Sequence, residues 1–215
     1  MSTRLTFAVV ASMLGTVAAQ AQAPGRFGPS GRPMTSQHEA SIRMGRCALN
    51  NNRDAAQALV RAADKDALEK ARRRLHPTLV TCLGGAASAT LNLQGIRGGI
   101  AEALVSEQDG RLLAAARSMP EMTPVRVEAV DEATGVPAVM ACTVGASPTA
   151  AIELLEARAE SPEEAAAFRK MVPALQQCVP ASGAIRIKPM HVRGLTAVAL
   201  YQRAAGAVSA ASPRS

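Results

Sequence analysis

Aromatic side chains are nearly missing from this chain: 2% of its 215 residues, with three Phe, one Tyr and no Trp. Stacking platforms for nucleobases or sugars are therefore scarce, and a core has to be built from Ala, Leu, Val, Ile and Met. No G-x-S-x-G is present, so a hydrolase nucleophile elbow is excluded. Gly84-Gly85 and Gly98-Gly99 fit neither P-loop nor dinucleotide spacing. Cys-x-x-Cys is missing, which removes the usual redox pair and the close ligand pairs that zinc prefers. Past the first two dozen residues, no apolar run approaches the roughly 20 needed to span a bilayer.

What is present is an ordinary globular composition: 48% hydrophobic residues, 19% charged, and a formal net charge of +7. That excludes a wholly disordered or collagen-like chain and allows one or two compact domains. Of the 24 basic residues only Lys65, Lys70, Lys170 and Lys188 are lysines, so the excess is carried by arginine. The charge is scattered, and its densest cluster, Arg72-Arg73-Arg74, lies in a helical stretch, which reads as a solvated face rather than a polyanion site.

Met1 to Ala23 has the layout of a secretory signal: one Arg, an apolar run from Leu5 to about Ala19, then small residues alternating with Gln. Ala19-Gln20-Ala21 is the better cleavage motif, because Pro24 spoils the next one, so cleavage is expected after Ala21. The apolar run is about 15 residues, too short for an anchor. The expected location is periplasmic or secreted, with no membrane span after signal cleavage.

Comparing the chain with itself reveals a tandem duplication. Cys47 and Cys82 are 35 apart, and Cys142 and Cys178 are 36 apart. At an offset of 95, Ala55, Ala56, Leu59 and Ala62 fall on Ala150, Ala151, Leu154 and Ala157. After a one-residue insertion the offset is 96: Ala71, Arg73, Pro77, Leu79 and Cys82 match Ala167, Arg169, Pro173, Leu175 and Cys178, and Arg97-Gly98 matches Arg193-Gly194. The division is a signal peptide (1–21), a Pro/Gly/Arg-rich flexible arm (22–35), unit 1 (36–107), a connector (108–135), unit 2 (136–204) and a disordered tail (205–215).

Each unit reads as mainly α-helical. Ser36 is positioned to cap a first helix; Asn50 to Asn52 form a turn; a second helix carries Ala55, Leu59 and Val60. A third, from about Asp66 to Leu83, places Leu68, Ala71, Leu75 and Leu79 on one face. Pro77 and Pro173, each five residues before a Cys, predict a shared kink or break. A last helix carries Ile96, Ile100 and Leu104, matched by Val192, Thr196 and Leu200. Ser147-Pro148 and Ser161-Pro162 mark helix starts in the second unit. Short extended stretches are expected over 88–93, 125–130 and 184–188.

Four cysteines in an exported chain are read as two structural disulfides, and duplication selects Cys47 with Cys82 and Cys142 with Cys178. Each closes a loop that contributes about 3 to 4 kcal/mol in the chain-entropy picture. His38, His76 and His191 have no counterparts in the other unit and no acidic or thiol company at workable sequence spacing, so no catalytic residue and no metal site is assigned. Arg97-Gly98 and Arg193-Gly194, read at the start of the last helix, offer a guanidinium beside free N–H groups, a candidate ligand-binding site for a carboxylate or phosphate. The alternative is a fold-defining role, with Arg bonding exposed carbonyls or a neighbouring carboxylate.

With its paired cysteines, the proline five before the second Cys, and the late Arg-Gly ahead of an Ala-rich helix, the chain resembles exported bacterial proteins built from a Cys-paired helical unit. The resemblance implies export and a helical fold, and carries no activity or site residue. The expected function is that of a non-catalytic binding or structural protein of the bacterial envelope, taking an envelope protein, or an anionic ligand in the groove between the copies, without a cofactor and without nucleic acid. The competing class is a periplasmic enzyme. A deep, asymmetric pocket lined by His, Asp or Glu favours catalysis; a shallow, symmetric, apolar or Arg-lined surface favours binding.

Overall fold

The computed structural model describes residues 36–83, 92–107, 110–128, 132–180, 187 and 189–211. Among them are eight helices and no strand: α1 (Gln37–Arg61), α2 (Lys65–Cys82), α3 (Leu93–Glu107), α4 (Arg111–Ser118), α5 (Glu132–Ala146), α6 (Pro148–Glu156), α7 (Pro162–Cys178) and α8 (Pro189–Ala211). The signal-peptide and arm assignments lie outside the described residues.

Helices start where a side chain holds the first free N–H groups. Ser36 Oγ accepts from the Glu39 N–H at 3.1 Å while the Glu39 carboxylate accepts from the Ser36 N–H at 3.3 Å, a reciprocal capping box. Asp64 caps α2 through the Ala67 N–H at 2.7 Å, and Ser161 caps α7 with Pro162 in its first turn.

The duplication is visible in the backbone. α1 corresponds to α5 and α6 together, α2 to α7, and α3 to α8, while α4 belongs to neither copy. α1 bends at Asn52 (φ −155°, ψ 74°). The residue 95 positions later, Ser147 (φ −141°, ψ 61°), separates α5 from α6, which meet at 102°. Asn52 caps the second half of α1 by accepting from the Ala55 N–H at 3.2 Å. Pro77 and Pro173 do not break their helices, which run continuously through both residues. Their carbonyls accept from side chains four residues on, Thr81 Oγ1 at 3.1 Å and Gln177 Nε2 at 3.4 Å.

Cys47 is bonded to Cys82 and Cys142 to Cys178, with Cα atoms 5.8 and 5.9 Å apart. Each bond ties the first helix of a copy to the end of the helix carrying the proline. The core is mostly aliphatic as composition requires: Leu49, Leu59, Leu75, Ile100, Leu104, Met140, Leu154, Met171 and Leu200 are fully buried, joined by Tyr201. Ala71, Leu75 and Leu79 bury the expected face of α2, with Leu68 half-buried beside them.

Three expectations need correction. Residues 205–211 are the end of α8 rather than tail, because an Ala-rich sequence after the buried Ala204 has no proline or capping signal to stop it. The connector holds α4, and α5 starts inside its last four residues. Residues 125–128 are not in a strand ladder: the Val127 N–H donates to the Cys178 carbonyl at 3.0 Å, and nearby the Met122 N–H donates to Gly145 at 2.9 Å, so this segment is satisfied by helix ends. Residues 129–130 of that expected stretch, and 88–91, 184–186 and 188 of the others, lie outside the described residues, Leu93 is already in α3, and Ile187 is half-buried against the core. No single helix among the described residues is long and apolar enough to cross a membrane.

Candidate functional site

The two Arg-Gly pairs meet at the centre of the molecule, where α3 crosses α8. A Cβ on Gly98 would lie 2.6 Å from the Gly194 Cα, so the helices touch backbone to backbone at equivalent residues, as a pseudo-twofold axis requires. Both arginines sit on the fifth residue of their helices rather than at the start, so the N–H groups around them belong to the helix ladder.

Their guanidinium groups perform one shared task. Arg97 Nη2 donates to the carbonyls of Val60 at 3.0 Å and Ala62 at 2.5 Å. Arg193 donates to Leu155 at 2.6 Å, Ala157 at 3.0 Å and Leu154 at 2.6 Å. Val60 and Ala62 correspond to Leu155 and Ala157, so each arginine caps the carboxyl end of the same helix in its own copy.

Beyond that task they differ. Glu102 Oε1 accepts from Arg193 Nε at 2.8 Å and Nη2 at 2.7 Å, and Glu164 Oε1 accepts from Nη1 at 3.1 Å. Every Arg193 nitrogen is thereby committed. Burial alone lowers its pKa, but the bonds and charges of Glu102 and Glu164 outweigh that and hold it above the ordinary arginine value. Arg97 has neither carboxylate, since the equivalents of Glu102 and Glu164 are Val198 and Leu68. Its buried Nε has no partner among the described residues, and desolvation pushes its pKa below the ordinary value. The four residues proposed for an anion are brought together, but as packing and capping elements with no guanidinium donor of Arg193 left over.

A cleft of about 510 Å³ opens beside Arg193, between α1 and α3 of the first copy and α6, α7 and α8 of the second. Its size is within the range of small-molecule sites. Ser41, Gly95 and Gly99 contribute little side-chain volume on one side; Leu154, Phe168 and Val192 give an apolar wall on the other. His38, Glu102, Glu164 and His191 furnish the polar part, and Arg97 does not line it. His38 Nε2 lies 3.7 Å from Glu102 Oε1.

None of the four titratable furnishings is repeated: their equivalents are Ala133, Val198, Leu68 and Gly95. Part of the apolar wall is also particular to one copy, although Leu154 is matched by Leu59 and Val192 by Ile96. Ala165 and Phe168 stand where the first copy has Glu69 and Arg72, a solvated pair bonded at 2.6 and 2.7 Å. The cleft is thus asymmetric and lined by His and Glu, the pattern expected of a catalyst. Its hydroxyls are otherwise engaged, however. Ser41 Oγ donates to the Gln37 carbonyl at 2.9 Å and Ser161 Oγ accepts from the Glu164 N–H at 3.2 Å, so neither is bonded to an imidazole.

Sequence reasoning assigned His38 and His191 no catalytic or metal role because their company is distant in the chain. Glu102 is 64 residues from His38, and only the packing of α1 on α3 joins them. His76 is exposed on α2. No group of three or more potential metal ligands occurs among the described residues. Comparison with family models, curated proteins and solved structures finds no match to this chain.

Proposed function

We propose that this protein is an exported small-molecule-binding protein whose site is the cleft between its two copies. One observation carries the reading: the copies share a scaffold, yet most residues facing the cleft differ between them, while Leu154, Arg193 and Gly194 are matched by Leu59, Arg97 and Gly98. The signal-like amino terminus and the two internal disulfides support a periplasmic or secreted location. An anion at Arg97 and Arg193 is less well supported, because those groups already serve carbonyls and carboxylates.

Ala165 is exposed and lines the cleft, so Ala165→Trp should occlude the site and leave the fold intact. Titration of apolar fragments followed by amide NMR should give saturable shifts around Phe168 and Val192 that the substitution abolishes. Shifts spread over the surface, or unaffected by Ala165→Trp, would remove the cleft from consideration.

A second reading, catalysis, draws on the His38 and Glu102 pair in an asymmetric cleft. It requires turnover of an ester, amide or phosphoester substrate that His38→Gln eliminates without loss of fragment binding.

A further inference from the structure

Resting on the cleft reading above, we infer that its ligand is a small organic cation: a protonated amine or amidine carried on an apolar body. Glu102 is nine-tenths buried, at 8% exposure, and lines the cleft. Its Oε1 is taken by Arg193 and lies 3.7 Å from His38 Nε2, while its Oε2 accepts from no described residue. Oε2 is not one of the sealed, unpartnered atoms of the interior and is open to the cleft, where the strong acceptor capacity of a carboxylate oxygen suits an N–H cation.

The surrounding charges agree. Glu164 is fully used, with Oε1 on Arg193 and Oε2 on the Glu160 N–H at 2.6 Å. Glu160 there has φ 61°, a left-handed backbone uncommon for a side-chain-bearing residue, and this exposed residue lines the cleft. Three acidic residues therefore line the cleft beside one guanidinium and two imidazoles, His38 and His191, in a protein whose overall charge is positive. The positive amino end of α7 is answered by its own Ser161, Glu163 and Glu164. An anion would meet uncompensated carboxylates and no free arginine donor. Phe168 adds a ring face for the cation or its apolar body.

The test titrates the full-length protein with three probes sharing one ring: 2-phenylethylamine, 2-phenylethanol and phenylacetate. Amide NMR at Phe168, Val192 and Glu102 reports binding. The ammonium probe should bind at least about tenfold more tightly than the alcohol, with phenylacetate weakest. Glu102→Gln keeps an acceptor oxygen for Arg193 and should bring the amine down to the level of the alcohol. If that variant fails to fold, the probe series on the unaltered chain decides alone. Equal affinities, or preference for phenylacetate, overturn the cation while leaving the cleft standing. Absence of cleft shifts with any probe at millimolar concentration overturns both.

Discussion

The two copies meet the same packing problem with different volumes. In the first, α1 and α3 approach backbone to backbone: a Cβ on Gly99 would overlap the Ser41 carbonyl, and one on Gly45 the Gly99 carbonyl. At the equivalent positions the second copy carries Val136, Met140 and Leu195, and the latter two are buried. The first copy thus gains close helix contact and leaves its outer side bare, where the cleft begins. In the second, side chains fill the equivalent space. The arginines divide the same way, with Arg193 set among carboxylates and Arg97 among apolar residues. Duplication supplied the frame, and differences in bulk and charge made one side of it a site.

Substitutions that force one copy toward the other probe this contrast. The largest effect is expected for Gly99→Ala. Its Cβ meets backbone rather than a movable side chain, so urea unfolding should show a loss beyond about 4 kcal/mol or no folded protein. Next is the arginine pair. Arg193→Met strands Glu102 in the interior and should cost about 3 to 5 kcal/mol, whereas Arg97→Met removes two carbonyl bonds but also an unpaired buried charge, and should cost only about 1 kcal/mol. Equal losses in the two variants would mean that the carboxylates do not distinguish them.

A gain is expected at Thr196, the counterpart of Ile100. Its buried Oγ1 has no partner among the described residues, so Thr196→Val should raise stability by about 1 kcal/mol in the same denaturation. The smallest effect belongs to Glu69, whose carboxyl is held down at about 2 by hydrogen bonds from Arg72 and Arg73. A depressed carboxyl stabilises above its unfolded value of 4.5 and loses that contribution as pH falls through 2. The melting difference between the protein and Glu69→Gln should therefore be small at pH 7, shrink below pH 4.5 and vanish near pH 2. A difference that grows on acidification would contradict the arginine bonds.

The elements most legible in the sequence were those governed by neighbours a few residues apart. Ser36, Ser161 and Pro162 announce helix starts because capping is local, and the Leu75 and Leu79 face follows from helical spacing. The disulfide pairing was legible through duplication rather than geometry. What escaped was tertiary. Arg193 and Glu102 are 91 residues apart, and nothing local to either predicts their bond. Aligning the copies did single out Arg97 and Arg193, as a candidate anion site with a fold-defining role as the alternative, yet the cleft is written in the mismatches, such as Glu69 against Ala165 and Arg72 against Phe168. Residues 205–211 were misread because alanine and glycine in a weakly patterned segment can continue a helix as easily as fray from one.

The meeting of Gly98 with Gly194 has an implication for origins. A contact in which a residue opposes its own equivalent is what two identical chains make when they form a homodimer. Were the halves separate polypeptides, every mutation would appear on both sides of the axis, and Glu102 could not arise without a second carboxylate in place of Val198. Covalent fusion lifts that restriction: one half can keep a valine where the other acquires an acid, and a symmetric seam becomes free to evolve a single, one-sided receptor.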